Sequence, residues 1–187
     1  MTTNSYLQDL HNQRKTHIEP HNPEWFRLFQ SERQILQTIF GDAIIRIEHI
    51  GSTAVPGMKA KPIIDILITT SNIDGIDTFN VQMDNIGYIA GGEFGLPGRR
   101  FFCKGDKMHC QFHVHVYEDR HTAVEHYLLF RDYMIHHPQE AKNYEDLKTA
   151  LAFQHPHNRT LYTEGKGKFI NDIYTKAEQW KRQNHTL

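Results

Sequence analysis

The stretch IEHIGSTAVPGMKAKPIIDILI, residues 47–68, decides how the chain is read. Two β-rich runs, Ile44 to Ile50 and Ile63 to Thr69, enclose a turn built from Gly51, Ser52 and Thr53, two prolines and the lysines Lys59 and Lys61. Side chains alternate along a strand. Ile64, Ile66 and Ile68 therefore form a core face, while Ile63, Asp65, Leu67 and Thr69 point the other way. A single carboxylate, Asp65, thus stands on a sheet face that otherwise reads as apolar. By the same alternation Phe112, Val114 and Val116 are core, and Gln111, His113, His115 and Tyr117 share the opposite face. If these two strands are neighbours, Asp65, His113 and His115 lie on one surface within reach of a common ion or ligand. Glu48 and His49, on the strand before the turn, point to opposite faces, and either can approach the site.

The Gly51-Ser52-Thr53 turn offers backbone N–H groups and two hydroxyls after a strand, an arrangement suited to phosphate. A plain tight connection uses the same residues. A carboxylate with two imidazoles suits a divalent metal, Mg or Mn or Zn, with oxygen ligands completing the shell. His-x-His is also an ordinary half-exposed strand face. A zinc-dependent hydrolase using His49, His113 and His115 is a further reading.

Outward from this stretch, a helix starts with Asn22 as cap and Pro23 at its first position and stops at Gly41. Another is expected over 74–86, ending at Gly87. A glycine-rich loop at 91–98 precedes strands at 99–104 and 108–117. Beyond Asp119 the period turns helical, over 121–136, 138–153 and 163–182. The order implies an α+β domain spanning 21–187, with residues 1–20 as an N-terminal arm without periodicity, and a mixed sheet whose second face is free to carry a site.

The 187 residues carry 21 basic and 22 acidic side chains, a balance that argues against bulk attraction to nucleic acid or an anionic membrane. No apolar window is long enough to span a bilayer and the N-terminus lacks a signal-peptide layout, so a cytoplasmic protein is expected. In that compartment Cys103 and Cys110 are expected as reduced thiols rather than a disulfide. Oligomeric state is not legible.

The helical tail aims cations at the protein. In the helix from 121, Val124, Tyr127, Leu128, Met134 and Ile135 mark the inward stripe and Arg131 falls on it. In the next, Lys148 lies among Ala141, Tyr144, Leu151 and Ala152. In the last, Lys166 lies among Tyr162, Phe169, Ile170, Ile173 and Trp180. An inward charge needs a carboxylate, carbonyls or a bound anion. Structural ion pairs with Asp132, Glu140 or Glu145 are one account. A shared pocket for the phosphates of a small ligand is the other.

HIGSTAVPGMKAKPIIDI (49–66), HVHV (113–116), FRDYM (130–134), the segment from Tyr144 to Leu151 and YTEGKGKFI (162–170) together resemble the GrpB family, over about residues 18–182 and in the family's order. That family is similar to the nucleotidyltransferase superfamily. The resemblance implies a nucleotidyltransferase-like mixed sheet with helices on one face and a C-terminal helical segment. It also implies a metal-dependent transfer of a nucleotidyl group from a nucleoside triphosphate to a small acceptor. In that scheme Gly51, Ser52 and Thr53, helped by Lys61, hold phosphates, and Asp65 with His113 and His115 binds the metal. His115 serves as general base, and Arg131, Lys148 and Lys166 neutralise the leaving pyrophosphate. The superfamily carries a second acid two residues after the first, where this chain has Leu67. The alternative is a catalytically degenerate module that binds a phosphorylated small molecule.

Overall fold

The computed structural model describes residues 15–105 and 110–184. The expected arm therefore lies largely outside the described residues, but its last part is fixed. Glu19 and Ala60 exchange backbone hydrogen bonds of 2.8 and 3.0 Å.

Helix α1 spans Glu24–Phe40. The Asn22 side chain accepts the Glu24 N–H at 3.0 Å, supplying the cap read from the sequence. Gly41, at φ 50°, ends the helix. Strand β1 (Ile44–Ile50) leads through the glycine turn to β2 (Ile64–Thr70). A 3₁₀ segment (Asp74–Phe79) and a short helix α2 (Asn80–Asn85) occupy the helix expected at 74–86. The Gly-Ile-Asp-Thr run at 75–78 lets the first turns tighten to i→i+3 bonding. Strands β3 (Tyr88–Gly92), β4 (Arg100–Gly105) and β5 (Cys110–Glu118) follow.

The sheet runs β1-β2-β5-β4-β3, antiparallel except for the parallel pair β2–β5. Ile64, Ile66, Ile68, Val114 and Val116 bury one face against Trp25, Phe29, Leu36 and Phe40 of α1, the largest core of the molecule. The sequence-derived face assignment holds throughout.

Four helices follow among the described residues: α3 (Thr122–His136), α4 (Pro138–Gln154), α5 (Arg159–Glu164) and α6 (Gly167–Asn184). They fold back over the face that carries Asp65. Their own core joins Leu129, Phe130, Tyr133 and Met134 to Tyr144 and Ile173.

Three details differ from expectation. The helix expected over 163–182 is two helices, with Gly165 and Lys166 between them. A Cβ on Gly165 would stand 2.6 Å from a Leu151 methyl and 3.1 Å from the Leu161 carbonyl oxygen, so a side chain there would force the Leu151 tip of α4 to move. In α3 the buried stripe is Val124, Leu129, Phe130, Tyr133 and Met134, while Ile135 is exposed and Arg131 lies at the stripe's edge. Packing on two sides, against the sheet and α6, widens the apolar surface of α3 and blurs the phase visible in sequence. Finally, Cys103 and Cys110 form a disulfide, not two free thiols. The β4–β5 hairpin holds their Cα atoms 6.4 Å apart, within bonding range. Among the described residues no helix is long and apolar enough to cross a membrane.

Candidate functional site

The C-terminal helices do not seal the second sheet face. Between them and the turn after β1 lies a cavity of about 360 Å³. Asp65 and His113 form its floor, and Lys61, Lys148, Arg159 and Lys166 reach it from the sides.

Parallel pairing sets Asp65 beside His113 and Leu67 beside His115. His113 Nδ1 lies 3.1 Å and His115 Nε2 3.6 Å from the same oxygen, Asp65 Oδ1. Arg99 fixes the second ring. Its Nη1 donates to His115 Nδ1 at 3.2 Å, and guanidinium nitrogens only donate. His115 Nδ1 is therefore the acceptor and Nε2 carries the proton, aimed at Asp65. Burial alone would raise the Asp65 pKa, but the two imidazole donors outweigh it and hold the carboxyl well below its ordinary range. Burial lowers His113 to about 4, so this ring is neutral near pH 7. The lone carboxylate thus accepts the His113 N–H and faces the His115 N–H at 3.6 Å.

Gly51 closes over the same group. Its φ is 72°, and a Cβ there would meet Asp65 Oδ2 at 2.7 Å. Only glycine satisfies both conditions. Ser52 Oγ accepts from Lys148 Nζ at 2.9 Å. Thr53 turns inward instead, donating to the Ile63 carbonyl at 3.2 Å and accepting from His49 Nε2 at 3.0 Å. His49 stacks on Phe29 on the core side, and burial lowers its pKa to about 4. His49 and His113 thus work on opposite faces of the sheet.

The cations divide. Lys148 is buried, donates also to the Lys59 carbonyl at 2.6 Å, and lies over the Tyr144 ring. Lys61 and Lys166 lie over the Tyr162 ring, at 5.1 and 4.7 Å. Burial, then the charge of Lys166, lowers Lys148 to about 7. Burial lowers Lys166 to about 8, and burial with the neighbouring Arg159 and Lys166 charges depresses Lys61 strongly. Arg131, by contrast, is not brought to the cavity. It pairs with Glu48 at 2.9 Å and Asp132 at 2.7 Å and donates to the His49 carbonyl. Glu48 stands beside Leu67 in the register, close to where the missing acid would sit, but Arg131 occupies it.

Arg159 was not legible in the sequence. It sits in the HPHN-flanked connection, at the first turn of a six-residue helix too short to show a stripe. Tyr127 and Tyr162 of the cavity wall read only as core aromatics, and Tyr174 carried no sequence signal.

These parts match a known group. The model of the family described as GrpB protein matches residues 15–176. The chain belongs to the GrpB family. It is 44% identical over 173 residues to UPF0157 protein YqkA of Bacillus subtilis, covering 92% of this chain and 50% of YqkA. It is 34% identical to the glutamate-rich protein GrpB of Alkalihalophilus pseudofirmus, over 82% of this chain and 90% of that protein. Among solved structures, the conserved protein GrpB from Enterococcus faecalis aligns with TM-score 0.83 and 37% identity over 88% of this chain and 99% of that one. The chain thus spans half of YqkA but nearly all of the other two. In this GrpB chain the ligand atoms of Asp65, His113 and His115 lie within 4.8 Å of one another. Yet both imidazole nitrogens facing Asp65 are donors, and His115 cannot turn a lone pair there without aiming its other N–H at Arg99. The set fits a clamped carboxylate better than Mg or Mn, which require oxygen ligands.

Proposed function

We propose that the cavity binds a phosphorylated small molecule of nucleotide size through Lys61, Lys148, Arg159 and Lys166, without turning it over at a metal centre. The observation that carries this reading is a charge imbalance: Lys61, Lys148 and Lys166 border a hollow whose lining holds one carboxylate, Asp65, already engaged by two histidines. Among the described residues, no carboxylate lies within ion-pair distance of Lys61, Lys148 or Lys166. Cations placed so close to one another depress each other's pKa, and phosphate oxygens relieve that repulsion with charge-assisted hydrogen bonds. The volume suits a small ligand. Ser52 Oγ and the turn backbone flank the phosphates, and Tyr127, Phe130 and Tyr174 line an aromatic wall for the remainder of the molecule.

Nucleotidyl transfer, the activity implied by the resemblance, needs carboxylates to hold metal ions against the triphosphate. Leu67 is fully buried among Ile50, Tyr117 and Val124 and Glu48 is held by Arg131, so the supply of acids stops at Asp65. Titration calorimetry with ATP, with and without Mg or Mn, separates the two readings. Metal-independent binding that persists in Asp65→Asn is the expected result. Binding that requires metal and vanishes in Asp65→Asn, together with pyrophosphate release, would establish the transferase instead.

A further inference from the structure

Beside the cavity, on the same sheet face, lies a second cluster that phosphate binding does not use. Cys103 stands opposite His113 across the β4–β5 pair. Cys110 would by strict alternation face the core with Phe112, but the register shifts between Lys104 and Gly105, and this irregularity lets its sulfur meet Cys103. One ligand atom each from Cys103, Cys110 and His113 falls within 4.8 Å of the others. Both cysteines are buried, and Ile63, Phe101, Ile89 and Phe94 surround them with apolar groups.

His113 is prepared for a ligand on this side. Its Nδ1–H is held by Asp65, which leaves Nε2 as a lone-pair nitrogen, and Nε2 is buried with no hydrogen-bond partner among the described residues. A buried acceptor left without a donor costs free energy unless something binds it. An imidazole whose far N–H is fixed by a carboxylate is the usual form of a metal-ligating histidine.

We propose that the reduced hairpin is a zinc site formed by Cys103 Sγ, Cys110 Sγ and His113 Nε2, with a fourth position open to water, and that the disulfide is its metal-free, oxidised counterpart. Two thiolates and an imidazole are the soft and borderline donors that select Zn over Mg or Mn. In tetrahedral zinc sites ligand atoms lie about 3.5–3.8 Å apart, a spacing the cluster reaches by small side-chain movements once the sulfurs are no longer bonded. The chemistry balances in two steps. A phosphine reductant and one water convert the disulfide to two thiols and the phosphine oxide. Zn²⁺ then displaces two thiol protons as the two Zn–S bonds form. Because His113 bridges this site to Asp65, metal here tightens the His113–Asp65 bond at the cavity floor.

The test uses the full chain, reduced anaerobically with a phosphine and freed of reductant, with Co²⁺ as the spectroscopic stand-in. One Co²⁺ per chain is expected, showing thiolate-to-cobalt charge transfer and displaced by Zn²⁺. The oxidised protein should show no such band. Cys103→Ser and His113→Gln should each lose it, His115→Gln should keep it, and Asp65→Asn should retain the stoichiometry with affinity lowered about 10–100-fold. Protection of both thiols from alkylation by Zn²⁺, read by mass spectrometry on the unsubstituted chain, covers the case in which a variant does not fold. A reduced protein without the charge-transfer band or without alkylation protection overturns the proposal. So does a band indifferent to His113→Gln, or Co²⁺ binding without the band that disappears in His115→Gln, which would put the metal on Asp65.

Discussion

Two cationic regions flank the turn after β1, and they are built differently. At Arg131 the charge is matched: two carboxylates and a carbonyl accept from one guanidinium. Around Tyr162 and Tyr144 the charges meet aromatic faces, a serine hydroxyl and a backbone carbonyl, and they crowd one another. Both regions satisfy the same sequence rule, a basic residue on an apolar helical stripe. Only the second is electrostatically incomplete. An inward cation therefore points to a ligand when the surrounding structure fails to supply its counter-charge, and otherwise to a structural pair.

The sharpest way to break this contrast is to remove cations from each side. Lys148→Met with Lys166→Met should weaken ATP binding several-hundred-fold, since each charge-assisted contact contributes about 2 kcal/mol. Calorimetry checks this, with circular dichroism confirming the fold. Gly51→Ala, which forces a Cβ at positive φ against Asp65, should lower stability by about 3 kcal/mol in urea unfolding. Arg131→Met should do the converse of the lysine pair: a loss of about 2 kcal/mol of stability from its stranded carboxylates, with ATP affinity within about twofold of the original. Equal loss of binding in Arg131→Met and the lysine double variant would erase the distinction between the regions.

Acidity sharpens the comparison further. Lys148 and Lys166, at about 7 and 8 in the free protein, take up protons when an anion returns them toward ordinary lysine values. Metal-free ATP should then bind on the order of a hundredfold more weakly at pH 9 than at pH 7.5, with proton uptake seen as a buffer-dependent enthalpy. The ligand-free fold should move oppositely. Between about pH 7 and the normal lysine range the unfolded chain holds more protons than the native one, so stability rises with pH there. Smallest of all, Ser52→Ala removes one acceptor from Lys148 and should change affinity by about fivefold, near 1 kcal/mol.

Much of this was legible in the residues. Period-two alternation assigned the faces of β2 and β5 correctly because each buries one face fully, as with Ile64, Ile66 and Ile68. It also put Asp65, His113 and His115 on a common surface before any pairing was known. Lys148 and Lys166 were legible because α4 and the α5–α6 junction each have one inward side. Arg131 misled because α3 packs on two sides, and its counter-charges come from β1, 83 residues away in sequence for Glu48, and from the adjacent Asp132. The disulfide was misread because composition speaks of compartment, whereas the bond depends on a hairpin register that no local pattern encodes. Arg99, which sets the His115 tautomer, lies just ahead of β4 and has no sequence signal at all; its role exists only through the hydrogen bond.

The parallel pairing of β2 with β5 joins residues 48 positions apart, Asp65 and His113, with no hairpin to align them. A slip of one residue would drive both imidazoles into the hydrocarbon layer beneath the sheet and present valines to a carboxylate. The polar trio therefore sets a penalty on any odd-numbered slip of this strand pair, since each such slip would strand a charge, whatever the finished cavity goes on to hold.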